Sequence, residues 1–200
     1  MPDTGAPWNI PYVESADLVS DWPADSLLVA NAVAAGLSAA GGLVEVKSAI
    51  FTGTQTGSVA AGGDLAITDL SITHEVADAS NELIISAMLG VAGSSNNLAL
   101  MGLGVYDGSA FIGVGATSSL RTPVSSANRN GTSSADANTS LNLTFVYTPG
   151  SGSFTYTLRA INTDNNGAGR TLYINRSPGD SDSISTPRGV SSLVIQEIQA

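Results

Sequence analysis

From Leu43 onward apolar and polar residues alternate with a period of two, whereas residues 23–42 repeat apolar positions at three- and four-residue steps. The chain therefore reads as a helix followed by strands. Candidate strands are Val44–Thr52, Asp64–Val76, Glu82–Val91, Leu98–Tyr106, Phe111–Ala116, Ser140–Tyr147, Phe154–Ile161, Arg170–Asn175 and Val190–Ile198. Leu141, Leu143, Phe145 and Tyr147 fall on one face, as do Phe154, Tyr156 and Leu158, and Leu193 with Ile195. Asp107-Gly108 between two apolar runs is a two-residue hairpin signal, and Thr148–Ser153 and Asp164–Gly167 carry further turn residues. Short strands with this punctuation predict an all-β fold, an antiparallel jelly-roll sandwich over residues 43–200. The polar segment Thr117–Thr139 reads as an exposed excursion or a crossover between the two sheets.

Residues 23–42 predict one α-helix: Asp21 can cap it, Pro23 sits in the first turn, and Gly41-Gly42 stops it. Leu27, Ala30, Val33 and Leu37 line one stripe and are the candidate oligomerisation residues, but Val29, Ala32 and Ala35 make the opposite side apolar too. Parallel association of identical copies would bury several faces at once; a helix covering one end of its own β domain is the alternative. Before it, residues 1–22 predict an extended arm punctuated by Pro2, Pro7 and Pro11. Trp8, Ile10, Tyr12 and Trp22 are too large and apolar to leave in water, so the arm either lies in a groove on a neighbour or packs back on its own sandwich.

Charged residues make up only 12% of the 200 residues, and Gly, Ser, Thr and Asn take their place. Such a hydroxyl- and amide-rich surface suits packing against copies of the chain or against a larger shell. The net charge of −10, from 17 acidic residues against seven basic ones, repels phosphate backbones and argues against nucleic acid as a partner. Neither a basic leader nor a membrane span is expected: Met1–Ala6 has no Lys or Arg, and the apolar stretch Ser26–Val44 is diluted by Asn31, Ser38 and glycines.

Chemistry is sparse. His74 is the single histidine and Cys is absent, so thiolate sites and the two-histidine zinc helix motif are excluded. No Gly-x-Ser-x-Gly elbow occurs, and Gly102-Leu-Gly104 and Gly113-Val-Gly115, set in strand-like runs, each lack the third glycine of a nucleotide loop. Asp164–Gly167 and Asp180-Ser181-Asp182 offer oxygen ligands without the spacing of a calcium loop. Glu75, Glu82 and Asp107 give no pattern of convergent carboxylates. We therefore expect no enzyme, no catalytic residue, no cofactor and no metal site. Near the C-terminus, Arg176 or Arg188 is expected to pair with Glu197 or Asp182 and fix the last strand in register.

At Asp69–Thr73, Asn81–Ala87, Tyr156–Arg159 and the closing run Ser191–Ile198 with its Leu-x-x-x-Glu-Ile pattern, the chain resembles a group of tailed-bacteriophage structural proteins. These carry a jelly roll like those of tumour necrosis factor and C1q. Separately, Ala6–Tyr12, Asp17-Leu18, Asp21 and the alanine-rich helix look like the start of phage tail-fibre proteins. The resemblance implies a virion protein, usually a homotrimer: a tail fibre or fibre-tip adhesin anchored to other virion proteins by its N-terminal arm. A capsid decoration protein clamping coat subunits is the alternative. For an adhesin, the polar loops with Tyr106 and Phe111 would contact a host surface glycan. The family supplies no catalytic residues.

Overall fold

The alternation resolves into strands in a computed structural model that describes residues 30–32, 42–95, 100–119, 121–129, 139–164, 167–180 and 188–200. They are β1 (Leu43–Phe51), β2 (Gln55–Val59), β3 (Asp64–Val76), β4 (Glu82–Ser94), β5 (Leu100–Tyr106), β6 (Phe111–Ile112), β7 (Ser126–Arg129), β8 (Thr139–Tyr147), β9 (Gly152–Asn162), β10 (Arg170–Ile174) and β11 (Ser191–Ile198). One sheet runs β1-β11-β4-β10-β2 with β8 on the other side of β4; the second runs β3-β9-β5-β6 with β7 also on β5. All pairs are antiparallel. Setting aside β2, β7 and β10 and numbering the remaining eight strands in chain order, the sheets read 1-8-3-6 and 2-7-4-5, which is the jelly-roll order.

Inward positions of both sheets meet in one core. Leu83, Ile85 and Leu89 of β4, Leu193 and Ile195 of β11, and Leu172 and Ile174 of β10 face Leu70 of β3, Leu103 and Val105 of β5, and Tyr156 and Leu158 of β9, all fully buried. The shared faces expected for β8, β9 and β11 are the faces seen: Leu141, Leu143, Tyr156, Leu158, Leu193 and Ile195 are buried, and Phe145, Tyr147 and Phe154 pack against them. At the seam between sheets, edge strands are tied by side chains. Lys47 Nζ donates to Thr73 O (3.2 Å), and Gln55 donates to Ala66 O (2.9 Å) while accepting from Thr68 N–H (2.7 Å).

Several expectations are corrected. Gln55–Val59 and Ser126–Arg129 are strands, the latter inside the segment read as an excursion, because their backbones complete ladders with β10 and with Leu100–Leu103 of β5. The Asp107-Gly108 connection is a four-residue loop, since Tyr106 pairs with Phe111 and Asp107 N–H donates to Ala110 O (3.0 Å). β6 stops at Ile112 because Gly113 turns to φ 60°, where a Cβ would meet the Phe145 ring at 2.6 Å; Gly113-Val-Gly115 thus lies beyond the strand. Of the expected helix, Ala30–Ala32 is helical, Gly42 is not, and residues 23–29 and 33–41 lie outside the described ones.

Strand β4 meets β11 over Glu82–Met88 and β10 over Ala92–Ser94 along the same edge, and buried Asn175 closes the gap between them. Its side-chain amide donates to Phe51 O (2.8 Å) and Gly53 O (3.0 Å), its Oδ1 accepts from Ser191 Oγ (2.6 Å), and its N–H donates to Val91 O (2.6 Å). Its φ of 59° is a left-handed conformation that Asn tolerates better than most residues. Asn175→Ala should lower unfolding free energy by about 3 kcal/mol or more, through orphaned carbonyls and a hydroxyl in the interior. Asn142→Ala, at an exposed position of β8, should change it by about 0.5 kcal/mol or less. Urea unfolding curves of the two variants check this.

Candidate functional site

Two places stand out. The first is the outer face of the β1-β11-β4-β8 sheet, built by strand periodicity: inward residues fill the core, leaving Leu43, Val46, Ser48 and Ile50 of β1 facing out with Glu82, Ile84, Ser86 and Met88 of β4 and the even-numbered residues of β8 and β11. Ladder pairing sets these in rows, Val46–Gln196–Ile84–Val146, then Ser48–Val194–Ser86–Thr144, then Ile50–Ser192–Met88–Asn142. Ile50 is 62% exposed, Val146 58%, Val46 48% and Met88 43%, an unusual load of large apolar side chains in water. These rows contain no charge; Glu82, which pairs with Ile198, stands at one end. Hydroxyl pairs such as Ser86–Thr144 (3.1 Å) satisfy the polar positions within the face itself.

The second is a buried polar cluster near the β1 edge. His74 of β3 is wholly buried, and its Nε2 lies 2.7 Å from Oε2 of Glu197 in β11, itself 1% exposed. The other carboxylate oxygen of Glu197 accepts from Asn81 Nδ2 (2.6 Å). On the opposite side of the ring, Nδ1 faces Glu45 Oε2 of β1 at 3.3 Å without forming a hydrogen bond. Lys47 Nζ is 3.5 Å from that same Glu45 oxygen. Strand alternation produces the convergence: His74 points in while Glu75 points out, and Glu45, paired with Glu197 in the ladder, lies on the same inward side of its sheet. Tyr156 Oη is also buried without a partner, and burial pushes its hydroxyl well above the usual tyrosine range.

The pairing expected for Glu197 is corrected by this cluster. Glu197 takes His74 and Asn81, while Arg176 and Arg188 both reach Asp180, at 3.3 and 3.2 Å. Asp182 lies outside the described residues, as do Trp8, Ile10, Tyr12, Trp22, Leu27, Val33 and Leu37; Ala30 is helical and exposed. Among the described residues, one group of three acidic or histidine side chains converges, Glu45 with His74 and Glu197, and it includes neither Glu75, Glu82 nor Asp107. Sequence gave no signal for it, because His74 and Glu197 are 123 positions apart. Of the aromatics considered for sugar contact, Tyr106 has the Arg159 guanidinium over its ring at 4.2 Å and Phe111 edge-on at 5.6 Å. One ring face is therefore occupied.

Asp107, beside these rings, organises its loop. Partial burial acts to raise its carboxyl, but hydrogen bonds from Ala110 N–H, Ser109 N–H, Ser109 Oγ and Tyr147 Oη outweigh that and hold it below the usual carboxylate range. Burial and the neighbouring Asp107 charge in turn push Tyr147 up.

No protein-family model matches the chain, and no curated protein matches it.

Two outcomes follow from this geometry. Glu197→Gln should destabilise the fold by about 3–5 kcal/mol, because an amide cannot accept from both His74 and Asn81 inside the core. Arg188→Gln, on a side chain 64% exposed, should cost about 1 kcal/mol or less. Denaturant unfolding separates the two. For Asp107 the folded pKa is depressed, so the stability it adds is fully present above the unfolded carboxylate value and is lost as pH falls through the folded one. The stability gap between wild type and Asp107→Ala should hold steady from about pH 7 to 5 and narrow below about pH 4, as read by unfolding curves across that range.

Proposed function

We propose that this chain is a non-catalytic structural protein of a tailed-phage particle that assembles with copies of itself, as a homotrimer, through the outer face of the β1-β11-β4-β8 sheet. The observation that carries this reading is the apolar, charge-free surface of that face. Copies that each carry a net charge of −10 meet there with no like charges opposed. Four strands about 4.8 Å apart and seven residues of about 3.4 Å each give a footprint of about 450 Å². That is less than the roughly 800 Å² per partner of a typical stable interface, so this face forms the apolar centre of a larger contact. The chain N-terminal to Gly42 enters at the Leu43 end of the face, where Gly42 O accepts from Gln199 N–H (2.9 Å).

A particle component fits the sequence resemblance and the hydroxyl-rich surface, and residues 1–22 would then attach the assembly to other virion proteins. The first reading is a tail fibre or fibre-tip adhesin that meets a host surface glycan; the second is a capsid decoration protein. Purified protein adsorbing to host cells supports the former, and binding to empty expanded capsids supports the latter.

The assembly itself has a direct test. Full-length protein should sediment as a trimer, and Val46→Asp with Val146→Asp should shift it to monomer while its far-ultraviolet circular dichroism stays unchanged. A wild-type chain that remains monomeric up to about 100 µM, well above the Kd of a weak μM contact, refutes the proposal.

A further inference from the structure

The two nitrogens of His74 sit in different surroundings, and that difference points to a ligand. Nε2 lies 2.7 Å from a carboxylate oxygen of Glu197, whose other oxygen is held by Asn81, so the proton of a neutral ring resides on Nε2. Nδ1 then presents a lone pair that is buried, makes no hydrogen bond and faces Glu45 Oε2 at 3.3 Å. Two acceptors at that separation repel each other unless positive charge lies between them.

We infer that His74 Nδ1 and Glu45 bind a divalent transition-metal cation of the Zn²⁺ class, with Glu197 and Asn81 orienting the imidazole from behind. This goes beyond the assembly reading and does not depend on it. A metal about 2.0–2.1 Å from each ligand atom, at a tetrahedral angle, places the nitrogen and oxygen about 3.3 Å apart, the separation found. Carboxylate bonded to the far nitrogen of a ligating histidine is the usual support for such a site. A nitrogen and oxygen donor set suits Zn²⁺ rather than Ca²⁺ or Mg²⁺. Glu45 is 43% exposed on edge strand β1, which leaves the remaining coordination positions open to water and gives the ion its way in. Lys47 Nζ, 3.5 Å from the same Glu45 oxygen and donating to Thr73 O, competes for that carboxylate.

The test is titration of the full chain with ZnCl₂, followed by calorimetry and thermal unfolding, with ¹⁵N spectra of the His74 ring. One Zn²⁺ per chain should bind and Tm should rise with its concentration. The Nδ1 resonance should shift while Nε2 keeps its proton. Glu45→Gln, at a half-exposed position that leaves the core intact, should weaken binding by about tenfold or more, and Lys47→Gln should strengthen it. Three results would overturn the assignment: a Tm indifferent to Zn²⁺ at millimolar concentration, Glu45→Gln binding as tightly as wild type, or an imidazole that keeps protons on both nitrogens in excess Zn²⁺.

Discussion

Strand β4 carries two partners along one edge, first β11 and then β10, and the structure depends on closing the gap between them. A chain that changes partner in mid-sheet leaves carbonyls and amides facing each other at the wrong spacing, and in the core each orphan costs about 1–3 kcal/mol. Asn175 removes that cost by supplying a short amide that imitates backbone: it donates to Phe51 and Gly53, accepts from Ser191, and takes a left-handed turn that ends β10. Gly90 contributes the remaining requirement. A Cβ there would sit 2.4 Å from Val190 O, so only glycine lets the chain entering β11 cross β4 this closely. Together they keep both halves of the sheet in one surface, and that continuity makes the outer face a single platform.

Charge is handled in the same economical way. Of seven basic side chains, Lys47, Arg159, Arg170, Arg176 and Arg188 are each paired with a carboxylate of the chain. Little positive field is left around these side chains. None of these pairs falls in the rows of the outer face, which are left to Val, Ile, Met, Ser, Thr, Gln196 and Asn142. Neutrality there follows from where the acids are anchored, and it removes the repulsion that would oppose self-association of an acidic protein.

How much of this was legible in the sequence depends on where each signal resides. β8, β9 and β11 announce themselves because one face is buried and the other wet, so alternation is enforced residue by residue. β2 (Gln-Thr-Gly-Ser-Val) and β7 (Ser-Ala-Asn-Arg) carry no such pattern; they are strands because a neighbour's backbone needs partners, and that demand is written in β10 and β5. The turn at Asp107 was visible, but its length was set by Tyr106 pairing with Phe111 and by four hydrogen bonds gathered on one carboxylate. The His74 cluster was invisible, since its members come from three strands and a loop and meet only after both sheets have folded.

Three buried polar hubs invite comparison. Asn162 donates to Val59 O, Ala60 O and Ala168 O and accepts from Asp164 N–H, so its amide is fully used. Asn175 is equally closed. Such hubs join backbone segments that would otherwise be orphaned, and structure explains them completely. The hub at His74 differs, because Nδ1 of the imidazole and Oδ1 of Asn81 are buried without partners while a half-exposed carboxylate stands at its mouth. Stability alone would favour an apolar replacement of similar volume, since burying a carboxylate with its polar partners seldom outweighs their desolvation. An unpartnered buried acceptor beside a half-exposed carboxylate is what cation capture requires, and at the β1 edge the ion would fasten Glu45 to β3. The strand that borders the outer face would then be locked to the sheet behind it.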